Sequence, residues 1–151
     1  LDNLKAAPLS GDARVYPGIA ELIREVHAAG IPQAIASSKP ETQVVELLES
    51  FGLTPFFSVA TGATADEVTR TAKVDIVIEA RRRLRDRGVE TSRVVLIGDR
   101  HHDVEGGVAA GVPVIFVRWG FSWPHESAGA QAAVDTVDEL RDLLLIRDAD
   151  G

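Results

Sequence analysis

Cysteine and methionine are both absent from the 151 residues, aromatic residues make up only 5%, and the only lysines are Lys5, Lys39 and Lys73. Without cysteine there is no disulfide framework, no thiol nucleophile and no thiolate-held zinc. That composition is compatible with the cytoplasm, which is the expected setting. Without methionine the chain does not open on an initiator residue, and we expect it to be the carboxyl-terminal part of a longer protein. No apolar stretch approaches the roughly 20 residues that a membrane-crossing helix needs, and no signal-peptide pattern opens the chain. Positive charge is also scarce. A formal net charge of −7 leaves no basic stripe to neutralise phosphates, which argues against nucleic acid as a partner. The Arg81-Arg82-Arg83-Leu84-Arg85-Asp86-Arg87 run falls at the far end of an expected helix, where cations complement the dipole and solvate the surface. No Gly-x-Gly-x-x-Gly follows a strand, so a dinucleotide role has little support.

What is present is a soluble, globular pattern with 45% hydrophobic residues, enough for one packed domain. Pro17-Gly18 opens a helix with Ile19, Leu22, Ile23 and Val26 at helical spacing and Gly30 as its left-handed stop. Ile31 to Ala36 reads as a strand, and Pro40 stands at a first helical position ahead of Val44, Val45, Leu47 and Leu48. Pro55 to Ala60 reads as a short second strand and Thr61 to Thr71 as a loop. A helix is expected from about Ala72 to Arg87, strands over Val94–Ile97 and Val112–Val117, and a short helix over Val104–Ala110. Thr136 and Glu139 have capping-box spacing at the start of the last helix. Short strands alternating with helices predict an α/β fold in which a parallel sheet is wrapped by crossovers.

The chemistry concentrates in Val94-Val95-Leu96-Ile97-Gly98-Asp99-Arg100-His101-His102-Asp103. The apolar run is a buried strand, Gly98 releases the chain, Asp99 falls at the strand's carboxyl end and Asp103 in the next helix's first turn. Both carboxylates then face the crevice where α/β folds bind ligands, and hard oxygen donors there suit a Mg²⁺ ion that also holds substrate phosphate. The bland alternative is a solvated turn Asp plus an Asp favoured by a helix dipole. Two further landmarks precede it in order. Ala34-Ile35-Ala36-Ser37-Ser38-Lys39-Pro40 ends a strand on hydroxyls, and Lys73 stands just ahead of the apolar pattern Val74, Ile76, Val77, Ala80, Leu84.

Taken together, these three segments resemble motifs II, III and IV of the haloacid dehalogenase superfamily, and most closely its phosphoglycolate-phosphatase-like branch. The resemblance runs from about Val15 to Leu145. It implies a three-layer, Rossmann-like core and a Mg²⁺-dependent phosphatase that acts on a small phosphomonoester through an aspartyl-phosphate intermediate. By the same resemblance Ser37 donates to a phosphate oxygen and Lys73 offsets charge on phosphate and nucleophile. Asp99 is the direct Mg²⁺ ligand, and Asp103 holds a metal-bound water or orients Lys73. Ser38 is a neighbour that contacts substrate or solvent, while Arg100, His101 and His102 flank the site. Consecutive histidines in a turn rarely aim at one ion, and no third ligand stands at a zinc spacing. The Trp119–His125 loop is expected on the crevice side.

One landmark is missing. The family's first strand carries an Asp-x-Asp pair whose first Asp attacks phosphorus, yet the only aspartates ahead of Ser37 are Asp2 and Asp12, and neither follows an apolar run. Asp148-Ala149-Asp150 has the spelling but is read as a polar tail. The expected sheet is therefore incomplete at its central strand, with two strand edges left unpaired. Residues 1–14 are expected to be a cap remnant or linker, 15–147 the hydrolase core and 148–151 a tail, with the nucleophile outside this sequence. The competing expectation is a non-catalytic module that binds phosphate or a partner. A phosphonatase or hexose-phosphate mutase shares these core motifs, a dehalogenase does not need the metal pair, and a receiver-like domain lacks its phosphoacceptor Asp.

Overall fold

The computed structural model describes residues 3–4, 17–64, 66, 70, 72–119 and 127–146. Among them six parallel strands form one sheet: β1 (Asn3–Leu4), β2 (Ala34–Pro40), β3 (Val59–Ala63), β4 (Leu96–Gly98), β5 (Val114–Val117) and β6 (Ala132–Val134). Their order is β3-β2-β1-β4-β5-β6. The helices are α1 (Ile19–Ala28), α2 (Glu41–Ser50), α3 (Lys73–Asp86), α4 (His101–Ala109) and α5 (Val137–Arg141), with a π-helical turn Asp142–Ile146 after α5.

Alternation along the strands sends neighbouring side chains to opposite faces, and both faces are apolar, as a doubly covered parallel sheet requires. Ile35, Ile97, Ile115 and Val117 join one core with Leu22, Ile23 and Val26 of α1, Val44 and Leu48 of α2, and Leu140 of α5. Ala36, Leu96, Val114 and Phe116 join the other with Ile76, Val77 and Ala80 of α3 and Val104 of α4. Three layers result, with the sheet in the middle. No helix among the described residues is long and apolar enough to cross a membrane.

The expected break in the sheet is bridged at one short point. Asn3 lies opposite Ala34 on one side and Leu96 on the other, and Leu4 opposite Ile97. A two-residue strand thus joins a seven-residue β2 to a three-residue β4, so the sheet stays thinnest at its centre. These residues fall within the stretch 1–14 read from sequence as cap or linker, and they stand where two unpaired edges were expected.

Several boundaries differ from the sequence reading. The strand expected over Ile31–Ala36 runs over Ala34–Pro40, so Pro40 closes β2 and caps α2 instead of opening the helix. The strand expected over Pro55–Ala60 begins later: Thr54–Phe56 is a single 3₁₀ turn, with Pro55 suiting its start, and β3 takes in Thr61 to Ala63, which were read as loop. Val45, expected in the buried stripe of α2, is 39% exposed. β6 was not expected at all. The Thr136 cap forms as its spacing implies: Thr136 Oγ1 accepts from Glu139 N–H at 3.1 Å, and Glu139 Oε1 accepts from Thr136 N–H at 3.1 Å.

Candidate phosphate and metal site

The strand order places β1 between β2 and β4, with the chain winding outward from it in both directions. At such a reversal the loops diverge and leave a crevice beyond the strands' carboxyl ends. Ser37, directly after the regularly paired Ala34–Ala36 stretch of β2, and Asp99, directly after β4, lie on that side and are 4% and 7% exposed. Gly98 has no room for a side chain. A Cβ on it would lie 2.4 Å from Asp103 Cβ, so a glycine is what lets the strand end and the next helix close on each other.

Asp103 is the third residue of α4 and fully buried. Its Oδ2 accepts from the backbone N–H groups of Asp99 and Arg100, each at 3.2 Å, which satisfies donors left free at a helix start and holds the Asp99 turn. Its Oδ1 lies 3.1 Å from Lys73 Nζ. Lys73 is the first residue of α3, where the helix dipole opposes a cation, and its side chain is only 4% exposed. Burial there is tolerable because Nζ faces the Asp103 carboxylate and donates to the Ala36 carbonyl at 2.5 Å. One ammonium therefore spans from the residue before Ser37 to the first turn of α4. Such a buried pair adds little net stability, since desolvation offsets the Coulomb gain, but leaving one partner alone costs about 3–5 kcal/mol. A second glycine makes the approach possible: a Cβ on Gly106 would stand 2.7 Å from Lys73 Cγ and 2.8 Å from Lys73 Cβ.

The structure thus brings Lys73 against Asp103 and the carboxyl end of β2, and links Asp99 to Asp103 through its amide. Ser37 Oγ accepts from Lys39 N–H at 3.2 Å, within the stretch between Ala36 and Pro40 where the register of β2 against β3 shifts. Ser38 is exposed and Arg100 half-buried. His101 is exposed and His102 half-buried, and their rings meet edge to face at 5.4 Å. Of the Trp119–His125 loop, Trp119 is half-buried and the remainder lies outside the described residues. No group of three or more His, Asp or Glu side chains gathers as a metal site among the described residues. The two buried carboxylates still fit a hard cation, because Mg²⁺ usually takes one or two protein carboxylates and completes its shell with water and substrate phosphate. The sequence reading missed Gly106, whose signal is only a Gly-Gly pair inside a helix pattern. It also missed Glu41 and Arg70, which flank the Ser37 and Lys73 segments.

A family model described as haloacid dehalogenase-like hydrolase matches residues 3–117. The chain is 34% identical over 134 residues to the tyrosine-protein kinase PtkA of Mycobacterium tuberculosis, a match covering 86% of this chain and 45% of that protein. It is 37% identical over 140 residues to the phosphoglycolate phosphatase of Rhodospirillum rubrum, covering 91% of this chain and 55% of that one. The chain thus spans about half the length of these curated relatives. Among solved structures, that of a predicted phosphatase from Clostridium acetobutylicum superimposes with a TM-score of 0.79 at 31% identity, covering 88% of this chain and 61% of that one. Fold, motif order and these matches agree: the chain belongs to the haloacid dehalogenase-like hydrolases and is phosphoglycolate-phosphatase-like within them.

Proposed function

We propose that this chain carries the phosphate- and metal-holding side of a Mg²⁺-dependent phosphatase for a small phosphomonoester, the attacking aspartate coming from residues outside this sequence. The carrying observation is the buried Lys73 ammonium, 2.5 Å from the Ala36 carbonyl beside Ser37 and 3.1 Å from Asp103 Oδ1. A positive group fixed at the strand ends has little purpose in packing and suits an anion in the crevice. Likeness to a phosphoglycolate phosphatase supports the same reading, with a core that takes in β1 at the centre of the sheet and a substrate chosen by parts of the protein beyond that core.

In this reading Ser37 Oγ donates to a phosphate oxygen and Lys73 offsets the charge of both phosphate and nucleophile. Asp103 keeps Lys73 pointed into the crevice, and Asp99 would hold the cation. Bound Mg²⁺ would supply further positive charge against the phosphate oxygens. The aspartate oxygen forms a bond to phosphorus as the ester P–O bond breaks, and the leaving oxygen takes up a proton. Water then cleaves the acyl phosphate and releases inorganic phosphate. Charge stabilisation and positioning carry most of the work in such transfers.

A second reading has one observation in its favour: no Asp-x-Asp follows an apolar strand ahead of Ser37. A non-catalytic module would use the same residues to hold phosphate without turning it over. The test is hydrolysis of a panel of small phosphomonoesters by the full-length protein, with and without Mg²⁺, in wild type and Asp99→Asn. The proposal expects magnesium-dependent release of phosphate that falls at least about 100-fold in the variant, the scale of losing one preorganised electrostatic contact. Unchanged magnesium-dependent activity in Asp99→Asn would sink the metal assignment. Binding without turnover would favour the module, and phosphate transfer from ATP to a tyrosine peptide would favour the chemistry named for the mycobacterial relative.

A further inference from the structure

A second charged cluster lies one step back from the phosphate site and is centred on one carboxylate oxygen. Glu41 opens α2, four residues after Ser37, and Arg70 stands three residues ahead of Lys73. Glu41 Oε1 accepts from Arg70 Nη2 at 3.0 Å, from Arg83 Nη1 at 2.8 Å and from the Gly62 backbone N–H at 3.2 Å. Arg70 Nε donates to the Gly62 carbonyl at 3.0 Å, so both backbone groups of Gly62 are held by this pair. The Arg70 backbone is fastened as well: its carbonyl accepts from Thr64 N–H at 2.9 Å, and its N–H donates to Thr64 Oγ1 at 3.1 Å.

We infer that Arg70 is a positioning residue for the phosphate site, clamping the Lys73 segment to the Ser37 segment through Glu41 and the end of β3. Ion pairs this exposed, with side chains 19% and 33% accessible, contribute little to stability, yet a guanidinium's fixed fork of donors sets distance and angle together. Here one fork reaches a strand carbonyl and the first residue of the helix that follows Ser37. Arg70 is close enough in sequence to Lys73 that its placement limits where α3 can begin. Glu41 also keeps Arg83 and Gly62 as partners, so loss of Arg70 leaves no bare carboxylate and the fold should survive.

This inference rests on the proposed phosphatase reading, and its test separates the two. Arg70→Met is compared with wild type and with Arg82→Met, an arginine of α3 whose side chain is 56% exposed and pairs with Glu79 and Asp86, not with Glu41. In the full-length protein Arg70→Met should lower kcat by about 10- to 100-fold with KM changed less than about threefold, since misplacing a catalytic group by about 1 Å costs up to that much. Its melting midpoint should stay close to that of Arg82→Met. Amide hydrogen exchange supplies a readout that needs no activity: residues 36–39 and 72–74 should exchange faster in Arg70→Met alone. Wild-type kcat and wild-type exchange in Arg70→Met would overturn the inference. So would faster exchange spread over the whole domain with a matching fall in melting midpoint, which marks a merely structural role. If wild type hydrolyses nothing, the phosphatase reading fails, and local exchange at those two segments still decides this one.

Discussion

Replacing Gly106 by alanine sets two ordinary effects against each other and lets the structure choose the winner. In a helix interior, glycine to alanine is worth about 1 kcal/mol in favour of the helix. At this position the new methyl would stand 2.7 Å from Lys73 Cγ, 2.8 Å from Lys73 Cβ and 3.1 Å from the Lys73 carbonyl carbon. Carbon atoms pack comfortably at about 3.5–4.0 Å, so roughly 1 Å of separation must be found. The atoms met are the base of the side chain and the backbone, not a flexible tip, so α3 and α4 must part or Lys73 must swing. Overpacking of that kind costs about 1–3 kcal/mol, which offsets the propensity gain and leaves a net loss of up to about 2 kcal/mol. For a domain of this size that lowers the melting midpoint by a few degrees, about 2–4 °C per kcal/mol. Activity should fall further than stability does, by up to about 100-fold, because the displaced residue is the ammonium between Ala36 and Asp103. Thermal melts and steady-state hydrolysis by the full-length protein measure both. A Gly106→Ala protein that is more stable by the full propensity gain and equally active would refute the close approach of α4 to Lys73.

Other expectations follow from single contacts. Asp103→Asn keeps the shape but strips the charge facing Lys73, and urea unfolding should show a loss of about 3–5 kcal/mol. Much of that loss should return in Asp103→Asn/Lys73→Met, where no lone charge stays buried. Hydrogen bonds from Arg82, then from Arg83, outweigh burial and hold the Glu79 carboxyl at about 2, below its ordinary 4.5. A carboxyl pKa lowered by folding stabilises the fold above the unfolded value, and that contribution is lost as pH falls from about 4.5 towards 2. Glu79→Gln should therefore be less stable than wild type at pH 7, and the gap should close across that window in a pH series of denaturant melts. Thr136→Ala removes the cap acceptor for Glu139 N–H and should cost about 1 kcal/mol by the same measurement.

The sequence carries the elements whose burial is periodic and hides those chosen by their neighbours. α1 is legible because Ile19, Leu22, Ile23 and Val26 are all buried at helical spacing, and α5 because a capping box needs no distant partner. β3 is misplaced because Pro55, Phe56 and Phe57 look strand-like, whereas Ala60 and Ala63, poor strand formers, pair opposite Ile35 and Pro40 of β2 through register. β6 is two alanines and a valine, made a strand by lying opposite Ile115, Phe116 and Val117. Asn3–Leu4 joins the sheet only because the edges of β2 and β4 both present hydrogen-bonding groups there. The site divides in the same way. Asp99 and Asp103 share one turn and are visible as a local pattern. The contact of Lys73 with Asp103 depends on how α3 packs on α4, and that of Arg70 with Glu41 on how β3 lies beside α2. Such pairings have no spacing to betray them.

The most direct test of a single site built from Ser37, Lys73, Asp99 and Asp103 is calorimetric titration of inorganic phosphate into the full-length protein. It would be run with and without Mg²⁺, in wild type, Ser37→Ala and Asp99→Asn. The account predicts phosphate binding that Mg²⁺ strengthens in wild type. Ser37→Ala should weaken binding under both conditions, and Asp99→Asn should remove the magnesium effect alone. Phosphate affinity identical in all three proteins, with or without the cation, would contradict it.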